Sequence, residues 1–290
     1  NFYLLGNRID LGGAGTADDV IEYGVWKITL LHDGAGGITV GTYQSSYTSP
    51  SPALSGPSHF YGSLLRQSTA IGGGSPAGTI WIAARVCDAC PSTHTEVIRS
   101  TSADTLTAWG ASGCTGARTG QSGNCNAAWT LPLSSVAFQA GTIANRLLDL
   151  GAAGIGLITY NKDNAPAPLP AAADAQLWFT LNKTGGHTQA SWSTPFLLTN
   201  QINQNDDASG TGTNGLDTTR LDDRRYSAIV DPDTRVIHVV YVAADSTGST
   251  NGDLRYFTLS PGAGSTYGTK SAEQTLIAGE CDGAQLSGDT

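Results

Sequence analysis

Apolar residues in this 290-residue chain come in short alternating runs separated by polar turns, a pattern that predicts strands rather than helices. The clearest phrase is late. Residues 226–232 (YSAIVDP) lead into a turn at 233–235, then into 236–243 (VIHVVYVA), a loop rich in Ser, Gly and Asn, and 253–260 (DLRYFTLS). Two apolar strands joined by a tight polar turn and followed by a third across a longer loop make a β-meander. The phrase repeats. Residues 23–31 (YGVWKITLL), 38–43 (ITVGTY) and 59–68 (HFYGSLLRQS) form one copy, and 146–150 (RLLDL), 155–160 (IGLITY) and 175–181 (AQLWFTL) another. A further copy has 79–85 (TIWIAAR), a CDAC loop and 95–100 (TEVIRS). Segments 128–133 (AWTLPL), 191–198 (SWSTPFLL) and 271–277 (SAEQTLI) fit a fourth, outer strand in each unit.

Repetition of a four-stranded unit with unequal insertions is the signature of a β-propeller, whose loops lie on its two faces. The expected fold is therefore all-β, a propeller of repeated four-stranded antiparallel blades, with a β-sandwich as the alternative. The implied organisation is the end of a preceding blade at 1–21, blades at 22–74, 75–142, 143–218 and 219–280, and the start of another at 281–290. The chain contains no Met and opens on a strand-like NFYLL, so it is expected to be part of a longer protein.

Composition sharpens this picture. Only 13% of residues are charged and 37 are Gly, against about 25% charged in an average domain. Long surface helices need more charge than that. The net charge is −9, and the 15 Lys and Arg are scattered. A surface that tracks phosphates needs clustered bases, so neither nucleic acid nor an anionic membrane surface is expected as a partner. No apolar run reaches the ~20 residues of a membrane helix, so no membrane insertion is expected.

Five cysteines suggest an oxidising compartment, and hence secretion or display at the cell surface. Cys87 and Cys90 form a CxxC, and Cys114 and Cys125 flank a Gly-rich loop. These four are the disulfide candidates, with Cys281 left over. A zinc site using His94 is the weaker reading, because Cys114 and Cys125 are not closely paired. Pro91 after Cys90 removes the c-type haem motif. No cofactor and no metal are expected. The carboxylate-rich stretches 205–210 and 245–253 are read as solvated insertions; the first has Leu216 where a calcium loop would close with an acid.

After TEVIRS comes Ser102-Ala-Asp104-Thr-Leu-Thr-Ala-Trp109. This resembles the Asp-box of sialidase-like (BNR) propellers, S/T-x-D-x-G-x-x-W, with Leu106 in the place of Gly. The resemblance implies a structural turn in which Asp104 accepts backbone N–H bonds and Trp109 anchors the turn. Residues 182–192 (NKTGGHTQASW) are a looser echo. In that family a Tyr helped by Glu, an Asp and three Arg perform glycoside hydrolysis. Arg8-Ile9-Asp10 shares two residues with the Arg-Ile-Pro opening of such enzymes, and we read it as a chance match. None of Glu22, Glu96, Glu273 and Glu280 sits in a context suggesting a nucleophile's partner. No GxSxG, HExxH or P-loop is present, and His238 reads as a packed strand histidine.

The expected function is a non-catalytic recognition or scaffold module, binding a protein or glycan through the long loops 45–58, 87–94, 112–126, 161–174 and 200–223. The alternatives are a sialidase-like hydrolase completed by residues elsewhere, and a structural subunit assembled with other chains.

Overall fold

The computed structural model describes residues 2–9, 20–32, 34–35, 38–50, 63–89, 92–100, 102–104, 142–161, 175–186, 191–202, 226–244, 251–262 and 266–282. Fifteen strands and one 3-10 turn (Gly151–Ala153) occur among them, and every strand pairing is antiparallel. The protein is all-β. The sheets are open, and no ring closes among the described residues.

Four groups of strands follow one another. The first sheet runs β1 (Phe2–Ile9), β2 (Val20–His32), β3 (Ile38–Pro50). The second runs β4 (Ser63–Arg66), β5 (Ile80–Ala89), β6 (Ser92–Arg99). The third is a four-stranded meander of β7 (Thr142–Asp149), β8 (Ile155–Asn161), β9 (Ala175–Asn182) and β10 (Phe196–Ile202). The fourth begins with β11 (Tyr226–Val230), β12 (Ile237–Ala244) and β13 (Asn251–Gly262), and its outer position is shared by β14 (Thr266–Lys270) and β15 (Gln274–Asp282). β14 covers one half of β13 and β15 the other, so they are one strand broken by a bulge at Ser271–Glu273. A single residue pair, Ile202↔Ala243, links the third meander to the fourth.

Pairing regroups some segments. Phe2–Ile9, expected to close a preceding unit, pairs with β2 instead. Ser63–Arg66 pairs with β5 and so opens the second sheet rather than closing the first. The expected loop at 87–94 is mostly strand, since β5 runs to Ala89 and β6 starts at Ser92, with Cys87 opposite Thr93. Likewise β3 extends to Pro50 and β10 to Ile202. Of the expected outer strands, 271–277 leads into β15, which pairs with β13; 191–198 leads into β10, which lies between β9 and β12; and 128–133 lies outside the described residues.

Burial explains the stacking. Every residue of Ile155–Thr159 in β8 is buried, so the third sheet has no wet face there. Its alternate residues serve two cores. Leu147, Ile155 and Leu157 meet Ile71, Trp81, Ala83 and Val97 of the second sheet. Leu148, Ile158, Phe179 and Leu181 meet Ala228, Val239, Tyr241 and Phe257 of the fourth. The period-2 alternation of a strand delivers one residue to each core in turn.

Glycines permit the closest approaches. A Cβ on Gly74 would lie 2.0 Å from the Thr184 carbonyl oxygen, and one on Gly185 would lie 2.4 Å from Ser75 Oγ. Loop 71–75 thereby nests on turn 182–186. Gln67, with no exposed surface, knots the same loop: its amide donates to Thr69 and Ser75 carbonyls and accepts from Ser75 Oγ and Trp81 Nε1, both at 2.9 Å.

Phe179 touches Phe196 and Tyr267 at ring separations of 5.4 and 6.0 Å and is 1% exposed. Phe179→Ala is expected to lower stability in urea melts by about 3–5 kcal/mol. Ser227→Ala, at an exposed site, is expected to stay within about 0.5 kcal/mol.

Candidate functional site

The opening strands of the last three sheets, β4, β7 and β11, have neighbours on one edge only among the described residues, and their other edges face a common cleft. Its volume is about 800 Å³. Ser63, Leu65 and Ser68 line it from the second sheet, Asn145, Arg146 and Asp149 from the third, and Tyr226, Ile229 and Arg235 from the fourth. Edge strands leave backbone groups unpaired, and side chains here take up several. Ser63 Oγ accepts from Leu147 N at 3.0 Å, tying β4 to β7. Tyr226 donates its hydroxyl to the Ile158 carbonyl at 3.2 Å.

Asp149 is the carboxylate of the lining, and both of its oxygens are engaged. Oδ1 accepts from Gly151 N at 2.9 Å and Oδ2 from Ser68 N at 2.6 Å. The cations differ. Arg146 is exposed, and neither it nor Arg235 makes a side-chain hydrogen bond or ion pair with another described residue. Arg235 is delivered by the β11–β12 turn, which Asp231 caps by accepting from Asp233 N at 2.8 Å and Thr234 N at 3.1 Å. These backbone bonds hold the Asp231 carboxyl below its ordinary pKa. Arg235 itself is left-handed (φ 59°), and Tyr267 donates to its carbonyl at 3.1 Å. Its guanidinium lies over Gly151, where an added Cβ would come within 3.1 Å of it.

The box-like residues sit elsewhere. Asp104 does not cap its own turn among the described residues. Its backbone is left-handed (φ 50°), and its carboxylate reaches outward to Arg66 (2.8 and 2.9 Å) and Tyr3 Oη (2.5 Å). Lys27, opposite Tyr3 in the register, donates to the Asp104 carbonyl at 3.2 Å. This clamp joins the first sheet to the second. Gly78 makes room for it, because a Cβ there would meet Asp104 Oδ2 at 3.0 Å. The hydrogen bonds from Arg66 and then Tyr3 outweigh burial and lower Asp104 to about 2, while burial and the Asp104 bond push Tyr3 up to about 12. Ser102 is exposed and contributes its carbonyl, which accepts from Ser100 Oγ. Trp109 lies outside the described residues.

The turn chemistry expected at Asp104 occurs at Asn182, between β9 and β10. Asn182 Oδ1 accepts from Thr184 N and Gly185 N, and its amide donates to the Gly186 carbonyl. Trp192 bridges to Asn182 and packs edge-on against Trp81 at 6.2 Å. Of the looser echo, residues 182–186 and 191–192 are described, and they hold this turn chemistry.

A Tyr–Glu pair does exist, which sequence reading missed because the partners are 32 residues apart. Tyr241 donates to Glu273 Oε2 at 2.6 Å. It lies at the seam of the third and fourth sheets, where Lys270 bonds both Glu273 and the Leu198 carbonyl. Burial and then the Glu273 hydrogen bond push the Tyr241 hydroxyl well above its ordinary pKa. His238 is a packed strand histidine, 2.7 Å from Tyr256 Oη and stacked on its ring. Cys90, Cys114, Cys125 and residues 205–210 lie outside the described residues. Among the described residues no group of three or more His, Cys, Asp or Glu is arranged to hold a metal, and no helix is long and apolar enough to cross a membrane. Compared with protein-family models and with curated proteins, the sequence matches none.

Asp104 has its folded pKa depressed below the unfolded value, so its contribution is complete above about pH 4 and is lost as pH falls toward 2. Asp104→Asn keeps the left-handed backbone accessible while removing the charge. It is expected to cost about 0.5–1 kcal/mol at pH 7, as befits a partly exposed pair. The difference from wild type in thermal melts is expected to shrink as pH falls from 4 to 2 and to vanish below about pH 2.

Proposed function

We propose that this chain is a recognition module without catalysis, an arc of propeller sheets that binds an acidic glycan in the cleft along β4, β7 and β11. The supporting observation is the imbalance in the lining: two arginines whose guanidinium groups make no hydrogen bond or ion pair among the described residues, beside a carboxylate whose two oxygens each accept a backbone N–H. Guanidinium groups bind carboxylate or sulfate oxygens in paired hydrogen bonds. The exposed backbone edges and Ser63 suit hydroxyls, and Ile229 offers an apolar contact. The propeller reading rests on two further features. The third sheet is covered on both faces, whereas a two-sheet sandwich leaves one face of each sheet in water, and the opening strands of successive sheets meet at one cleft. Secretion or surface display remains part of the reading on the cysteine count.

Hydrolysis is disfavoured by the same chemistry. A glycosidase working through paired carboxylates needs one free to take or give a proton and another to act on the sugar ring. Asp149 is held by two backbone N–H groups, and the Tyr226 hydroxyl is directed at a carbonyl. Titration calorimetry with acidic and neutral oligosaccharides tests the proposal. Binding is expected for the acidic set alone, weakening with salt. Arg146→Ala or Arg235→Ala should each reduce affinity about 10-fold or more, the worth of a lost charge-assisted bond. Turnover of a fluorogenic sialoside by the purified chain, or binding that ignores both substitutions, would refute it.

A further inference from the structure

The two arginines that line the cleft stand toward opposite ends of it, and two strands measure the gap. Arg146 lies in β7 three residues before Asp149, a strand distance of about 10 Å. The chain then turns, and the guanidinium of Arg235 lies over Gly151, two residues further on. β11 gives the same measure from the facing wall. Its first residue, Tyr226, donates its hydroxyl to the carbonyl of Ile158, the register partner of Arg146. Its last, Val230, is four residues and about 13 Å away, and the turn that follows delivers Arg235. What lies between is not cationic. Asp149 follows Arg146 along β7, its carboxylate fixed by Gly151 N and Ser68 N. On β11 the exposed side chains are Ser227, a hydroxyl, and Ile229, which is apolar. The order of charge along the lining is cation, anion, cation.

From this order we infer that the cleft takes a linear glycan in which acidic sugars are separated by a neutral one. One acid meets Arg146, the next meets Arg235, and the neutral sugar lies over Asp149, Ser227 and Ile229. The inference rests on the acidic-glycan reading above and narrows it. A ligand with a single acid engages one arginine and leaves the other end of the cleft unused. A run of contiguous acids brings a like charge against Asp149, a repulsion that selects against such a ligand. A neutral sugar suits the middle. Its hydroxyls donate to the lone pairs that the Asp149 oxygens and the Ser227 hydroxyl still offer, and its carbon face or an N-acyl methyl group meets Ile229. At each end a guanidinium pairs with carboxylate or sulfate oxygens.

Titration calorimetry of the whole chain with three oligosaccharides of equal length tests it. One alternates uronate with N-acetylhexosamine, one is all uronate, and one is neutral but for a single terminal acid. The alternating ligand is expected to bind at least about 10-fold tighter than either of the others, because its second contact forms at high effective concentration. Arg146→Ala is expected to lower its affinity to that of the single-acid ligand. Arg235→Ala should do the same, as should Arg235→Asn, which tolerates the left-handed backbone should the Ala variant misfold. An alternating ligand that binds no tighter than the single-acid or the all-uronate one overturns the inference and leaves the acidic-glycan reading standing. Absence of binding by all three overturns that reading as well.

Discussion

The constraint on which this fold depends is the third sheet's lack of a wet face. β8 offers Ile155, Leu157 and Ile158 with no exposed surface, so a sheet must lie on each side of it. Burying a side chain of this size contributes about 1.5–3 kcal/mol, and several do so on each face. Once the second and fourth sheets are stacked against the third, their relative order is fixed. Their opening strands come to the same edge because each meander starts there. The cleft is the space those three edges leave, so its position follows from packing and not from any residue that lines it.

Charge, scarce in this chain, concentrates at the joints. Asp104 with Arg66, Tyr3 and Lys27 spans the first and second sheets; Glu273, Lys270, Tyr241 and Arg255 gather on the fourth, and Lys270 ties that cluster to the Leu198 carbonyl of the third. The second cluster is the more enclosed. Burial alone would push Glu273 up, but hydrogen bonds from Lys270 and Tyr241, with the nearby Lys270 and Arg255 charges, hold it below its ordinary value. Lys270 also sits over the Phe257 ring at 4.6 Å and bonds the Leu198 carbonyl. Polar groups at such joints fix register where apolar contacts tolerate sliding.

The strands were legible because period-2 alternation and tight polar turns are local signals. The segment 226–260 reads almost directly into β11, β12 and β13, with Asp231 capping the turn between the first two. Partnership was not legible. Residues 59–68 follow β3 in sequence, yet Ser63–Arg66 pairs forward with β5, because antiparallel pairing is settled by which apolar face must be covered. Among the described residues a side-chain-capped turn occurs at Asn182 and not at Asp104. Asp104 and Asn182 both precede a Trp and both offer an acceptor oxygen. The left-handed backbone at Asp104 comes with a carboxylate turned toward Arg66, whereas Asn182 keeps its oxygen over its own turn. The extension of β5 and β6 into the CDAC segment was hidden because small residues and Pro91 mimic a loop.

The functional reading follows from the same economy. Hydrogen bonds from donors favour the charged form of a carboxyl and make it a poor proton donor. Asp104, Asp231 and Glu273 are each held below the ordinary carboxylate value in this way, and Asp149 accepts from two backbone N–H groups. Arg146 and Arg235 line the cleft with no such engagement among the described residues. Arg235 closes the β11–β12 turn in a left-handed backbone, and its guanidinium lies over Gly151. On the proposed reading, the anions of this cleft serve the scaffold and its two arginines are the groups that would meet an acidic ligand.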